Sequence, residues 1–152
     1  MANPFPFVAN TVLNASQLNG IGENVAFTPS LNGITLGNGT ATATYSRSNQ
    51  QIHLQVIIVF GTTTSVTGTI GLNLPVNGTT AEINCAIGNA RILDNGTGYF
   101  SGQFYLSTTA ITFLTAQNTT GTYAVDTFSS STVPMTWANL DQLGFSINYT
   151  AA

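Results

Sequence analysis

Few side chains in this sequence are able to do chemistry. His53 is the only histidine and Cys85 the only cysteine; the carboxylates are Glu23, Glu82, Asp94, Asp126 and Asp141, set against Arg47 and Arg91. A hydrolytic triad would need His53, a hydroxyl and Asp94 or Asp126 to converge, yet no Gly-x-Ser-x-Gly elbow presents a nucleophile. His53 falls on the polar side of the alternating run Ile52-His53-Leu54-Gln55-Val56, where a half-exposed strand histidine is the plainer reading. One histidine and one distant cysteine offer no zinc spacing. Glycoside hydrolysis requires two carboxyl groups held about 5–9.5 Å apart, and the acids here stand mostly singly beside turns. Asp94-Asn95-Gly96-Thr97-Gly98 contains oxygen ligands but lacks the acidic spacing and closing Glu of a calcium loop. It reads instead as a β-turn with Asn95-Gly96 at positive φ. Gly20-Ile21-Gly22 lacks the full dinucleotide fingerprint, and no Gly-Lys-Ser/Thr segment exists. We therefore expect no catalytic residue, no metal site, no cofactor and no enzymatic activity. Cys85, between Ile83 and Ile87, is expected to pack as a small apolar residue.

The surface that must carry any function is unusual. Only 5% of the residues are charged and there is no lysine, against about 25% charged residues in ordinary domains. Solubility must come from Ser, Thr, Asn, Gln and Gly. The net charge of −3 forms no block of either sign, and without a basic stripe neither nucleic acid nor an anionic membrane is an expected partner. The longest apolar run, Val56 to Phe60, is far short of a membrane span. Met1 to Asn10 has no basic start and no continuous apolar stretch, so we expect synthesis in a cytoplasm without a signal peptide. Asn-x-Ser/Thr sequons at Asn14, Asn38, Asn77, Asn95, Asn118 and Asn148 are then turn and strand residues rather than modification sites. Flat amphipathic rings at Tyr45, Tyr99, Tyr105, Tyr123, Tyr149 and Trp137 could meet a sugar. Tyr45, Tyr99 and Tyr105 are the candidates for glycan contact, while packing in a core or subunit interface is the plainer role for most of the six, Trp137 included.

The elements that position these residues are strands. Period-two alternation runs through Thr40–Tyr45, Ile52–Val56, Val66–Leu72, Phe100–Leu106 and Leu143–Tyr149. Weaker candidates lie at Val25–Thr28, Ile83–Leu93, Ala110–Ala116, Thr122–Asp126 and Pro134–Trp137. Gly61–Thr64, Pro75–Gly78, Asp94–Gly98 and Asn118–Gly121 supply turn chemistry between them. The expected fold is all-β: an antiparallel β-sandwich, jelly-roll-like, spanning residues 23–152. Its interior takes Ile52, Leu54, Val56, Ile58, Phe60, Phe100, Phe104, Leu143, Phe145 and Ile147. Ile57 and Val59 face the other way, which suggests a second covered face and hence a homo-oligomer. Residues 1–22 form a separate N-terminal extension. Asn14 caps one helical turn closed by Gln17, Leu13 lies a turn from Leu18, and Asn19-Gly20 stops it. Phe5, Phe7, Val8, Leu13 and Leu18 carry more apolar surface than so short a segment can bury on itself. Docking is therefore expected, on its own domain or on another protein to which the segment attaches.

Both ends resemble small structural proteins of tailed bacteriophages. Asn3-Pro4-Phe5-Pro6-Phe7-Val8 followed by Val12-Leu13-Asn14-Ala15-Ser16-Gln17-Leu18-Asn19 is similar to the V-L-T-A-x-Q-L-N segment near the start of phage fibre and appendage proteins, with Asn14 in place of Thr. Gly121-Thr122-Tyr123, then Thr132-Val133-Pro134-Met135-Thr136-Trp137-Ala138-Asn139-Leu140-Asp141, with the ending Tyr149-Thr150-Ala151-Ala152, resembles the P-F-T-W-A-x-G-D-x-L close of phage β-sandwich modules. Met135 stands for Phe and Leu140 for Gly, so the turn before Asp141 is open to difference. The resemblance implies a non-enzymatic virion surface protein, commonly a homotrimer, serving as capsid decoration, head fibre or tail fibre. Its partners would be other copies of itself and the major capsid protein or another virion protein. A tail fibre tip recognising host surface polysaccharide is the alternative within this class. A small carbohydrate-active enzyme or free lectin is the alternative outside it.

Overall fold

A computed structural model of the chain describes residues 12, 22–79, 86–107, 109–118 and 124–152, with the backbone alone at 86, 87, 112–118 and 124–126. The helical turn at Asn14–Gln17, the docking residues Phe5, Phe7, Val8, Leu13 and Leu18, and Cys85 lie outside the described residues. The described chain is all-β. Its ten strands are β1 (Val25–Phe27), β2 (Leu31–Thr35), β3 (Thr40–Ser48), β4 (Gln51–Val59), β5 (Ser65–Asn73), β6 (Ala86–Asp94), β7 (Gly98–Leu106), β8 (Ala110–Asn118), β9 (Ala124–Phe128) and β10 (Gln142–Thr150).

All the strand pairs are antiparallel, in the order β1-β3-β4-β10-β6-β7-β8-β5-β2, with β9 added beside β8. The two ends of this order, β1 and β2, are joined by Thr28-Pro29-Ser30 alone. A connection that short reaches about 13–14 Å when fully extended. The sheet must therefore curl until its edges approach, which gives the sandwich-like architecture expected from the alternation. At the seam, a groove of about 400 Å³ separates Val25, Phe27 and Tyr45 from Asn73, Leu74 and Pro75. The Asn73 N–H donates to Ser30 O across 2.9 Å at its side.

Curling turns one face of β4, β7 and β10 inward. Ile52, Leu54, Ile58, Phe60, Leu143, Phe104 and Ile147 are buried, as are Val56 and Phe145. Phe100 is half-buried against them. Burial of each large side chain contributes roughly 1.5–3 kcal/mol. Tyr149 closes the β10 series fully buried, its hydroxyl donating to Val76 O at 2.8 Å. Phe104 lies directly over Gly88, where a Cβ would collide with the ring. The glycine is thus what lets that aromatic occupy the core.

Two local readings differ from expectation. β2 is a strand that the alternation does not mark. Asn32-Gly33 forms a bulge in it, with Gly33 at φ 70 and so close to the Thr69 carbonyl that no Cβ fits. Conversely, Pro134–Trp137 is not a strand. The segment is irregular chain that follows a tight Ser130–Val133 turn and its single bridge, with a cis Val133–Pro134 peptide, and Pro134 has no N–H to offer a ladder.

Candidate functional site

His53 projects from the outer face of β4, level with Asn148 on β10. Its Nδ1 lies 2.9 Å from Asn148 Oδ1, and its Nε2 is 3.5 Å from Ser146 Oγ. The register sets Leu93 and Val59 opposite the same residue, Gln142, so neighbouring Asp94 stands near the far end of β4 from His53. Six residues of strand separate Val59 from His53, about 20 Å. The two do not meet. Asp126 is carried by β9, and its side chain is outside the description.

Asp141 is the one buried carboxylate among the described residues. Its Oδ1 accepts the Asn95 N–H at 2.9 Å and its Oδ2 the Ala138 N–H at 2.6 Å. Its own carbonyl accepts the Phe60 N–H at 2.9 Å, while the Leu140 N–H donates to Phe60 O at 2.8 Å. Three segments, the end of β4, the turn before β10 and the β6–β7 hairpin, are thereby tied at one end of the sheet. Trp137 completes the tie: its ring stacks on Phe60 at 4.6 Å and 14°, and its Nε1 donates to Ser130 O at 2.8 Å. Leu140 sits at φ 69, a left-handed conformation that glycine adopts more readily. In the tied hairpin, Thr97 N–H donates to Asp94 O at 3.0 Å and Gly96 takes φ 90, while Asn95 does not share the positive φ expected for it.

Asn38 is likewise a structural residue. Its amide bridges the β2–β3 and β4–β5 loops, donating to Thr62 Oγ1 and accepting from the Thr63 N–H and hydroxyl, each at 2.9 Å.

The three tyrosines proposed for glycan contact are not brought together. Tyr45 faces inward at the seam, edge-on to Phe27 at 5.8 Å. Tyr105 is half-buried, six residues along β7 from Tyr99 and so about 20 Å away. Tyr99 alone is open, 61% exposed, with the Arg91 guanidinium 3.8 Å above its ring.

Around that pair lies a feature of which the alternation marks only Ile57. In the strand register Ile57 on β4, Gly144 on β10 and Arg91 on β6 stand side by side. Their neighbours in sequence, Val56, Ile58, Leu143, Phe145, Ala90 and Ile92, are buried, so all three face outward. Gly144 has no side chain, and two adjoining hollows of about 160 and 320 Å³ meet above it between Ile57 and Arg91. Ile57, 53% exposed, is the apolar wall, and Arg91 with Tyr99 is the opposite one. The arrangement can bind; it holds no acid–base pair among the described residues. Protein-family models, curated proteins and solved structures were each compared with the chain and none matches, so its function must be read from its own residues.

Proposed function

We propose that this is a non-enzymatic structural protein of a bacteriophage virion surface, a capsid decoration or fibre protein assembled as a homotrimer. Residues 1–22 would attach it to the major capsid protein or another virion protein, leaving the β-domain displayed. The observation that carries this reading is the part played by the residues of the C-terminal resemblance. Trp137 and Asp141 form the stack and the hydrogen bonds that tie three segments, and Leu140 holds the left-handed turn at the position where phage modules have glycine. A resemblance carried by residues that hold this fold together supports the reading better than composition alone. The neutral surface, with 5% charged residues, suits a particle exterior.

Purified virions provide the test. Removing residues 1–22 is expected to leave a soluble β-rich trimer that no longer co-purifies with particles, while the full chain does. Undiminished incorporation of the truncated form would place the attachment surface on the β-domain. Absence of the full chain from particles would refute the virion reading.

A further inference from the structure

Gly144 has no conformational reason to be glycine. Its φ is not positive, and a Cβ there would meet only Val56 O at 3.8 Å and Ile57 Cγ1 at 4.0 Å, ordinary contacts. Mid-strand glycine weakens a sheet, and it commonly marks a place where something approaches the backbone closely. The notch above it is flanked by one of the only two cations in the chain. Arg91 forms no ion pair among the described residues. Asp94, three residues along the same strand, belongs by alternation to the opposite face. The guanidinium carbon lies over the Tyr99 ring, 3.8 Å from its centroid, and a guanidinium's planar fork of N–H donors matches a carboxylate.

We propose that this notch is a subsite for a carboxylate-bearing sugar, a uronate or sialate unit of an acidic polysaccharide. The Arg91 fork would take the carboxylate and the ring would lie over Gly144 against Ile57. A sugar fits the surroundings better than a protein partner. The apolar surface is small, made of Ile57, the half-buried Val59 and Leu93 and the Tyr99 ring, among the neutral donors and acceptors Gln55, Gln142 and Ser101. Stable protein interfaces need about 800 Å² per partner with an apolar centre, whereas these hollows have the scale of one or two small rings. The inference goes beyond the virion reading and does not depend on it; it gives Ile57 to a ligand in place of the subunit contact expected from the sequence, so a trimer would use another face.

The full-length protein should be titrated with tetragalacturonate and 3′-sialyllactose, with maltotetraose and lactose as neutral controls, and binding read by saturation-transfer NMR. At least one acidic probe is expected to bind tenfold or more tightly than its neutral control. Arg91→Gln should remove about tenfold or more of that affinity without lowering the melting temperature. Gly144→Val should abolish binding by filling the notch, and Tyr99→Ala should weaken it should the valine variant fail to fold. Failure of both acidic probes, equal binding of the neutral sugars, or indifference to Arg91→Gln would overturn the proposal. So would displacement by citrate as effective as by tetragalacturonate, which would reveal a generic anion site. A change in oligomer mass on Ile57→Ser would also overturn it, by showing the notch to be a subunit contact.

Discussion

Asp141 and Arg91 lie near the same end of the sheet, yet the protein treats them oppositely. Asp141 is 1% exposed, with both carboxylate oxygens on backbone N–H groups of other segments. Arg91 is exposed, braced on a tyrosine, and its fork is unoccupied by any acid among the described residues. A charge whose hydrogen-bonding capacity is met from within holds the fold together; one that is oriented but unmet is available to something outside. The β4–β10–β6 strands thus have a structural inner side, reinforced at its end by the Phe60–Trp137–Asp141 tie, and an outer side with one place prepared for contact.

Breaking the tie should have the largest consequences. Trp137→Ala removes the stack on Phe60 and the bond to Ser130 O, and a loss of about 3–4 kcal/mol is expected. Chemical denaturation measures it, and an unchanged midpoint would mean that the tie is ornamental. Asp141→Ala leaves the Asn95 and Ala138 N–H groups without their acceptor, at a cost of about 2–3 kcal/mol. Native-state hydrogen exchange should show the 94–98 hairpin and the turn before β10 losing protection first, before β3 and the start of β4.

Leu140 sharpens the contrast on a smaller scale. Glycine and alanine at this position both discard the side chain, but only alanine keeps the left-handed strain. Leu140→Gly should therefore be more stable than Leu140→Ala by about 1 kcal/mol. Equal stabilities would show that the φ of 69 is not a strained feature. The smallest effect belongs to the outer side. Arg91→Gln should change stability by no more than about 0.5 kcal/mol, because the residue is exposed and its stack on Tyr99 is worth little in water. A loss comparable to that of Asp141→Ala would erase the distinction between the two charges.

Alternation made much of the inner side legible. Ile52 to Phe60 and Leu143 to Tyr149 show their buried faces in the sequence because strand periodicity is strict and one face is packed. The Gly33 bulge broke the period and hid β2, and apolar spacing made Pro134–Trp137 look like a strand although proline cannot supply a ladder. The rank of Tyr99 among the aromatics was equally hidden, since ring chemistry is identical at Tyr45, which faces inward, and at Tyr99, which does not.

The sequence by itself determined that this chain is all-β, neutral on its surface, and buried along particular alternate residues, because those properties follow from side-chain types and a local period of two. Tertiary structure decided which strands lie together. β10 enters between β4 and β6, and that pairing places Ile57, Gly144 and Arg91 in one row. No local rule connects three residues so far apart in the chain; the row exists because strand order is set by global packing, while strand formation is set by neighbours.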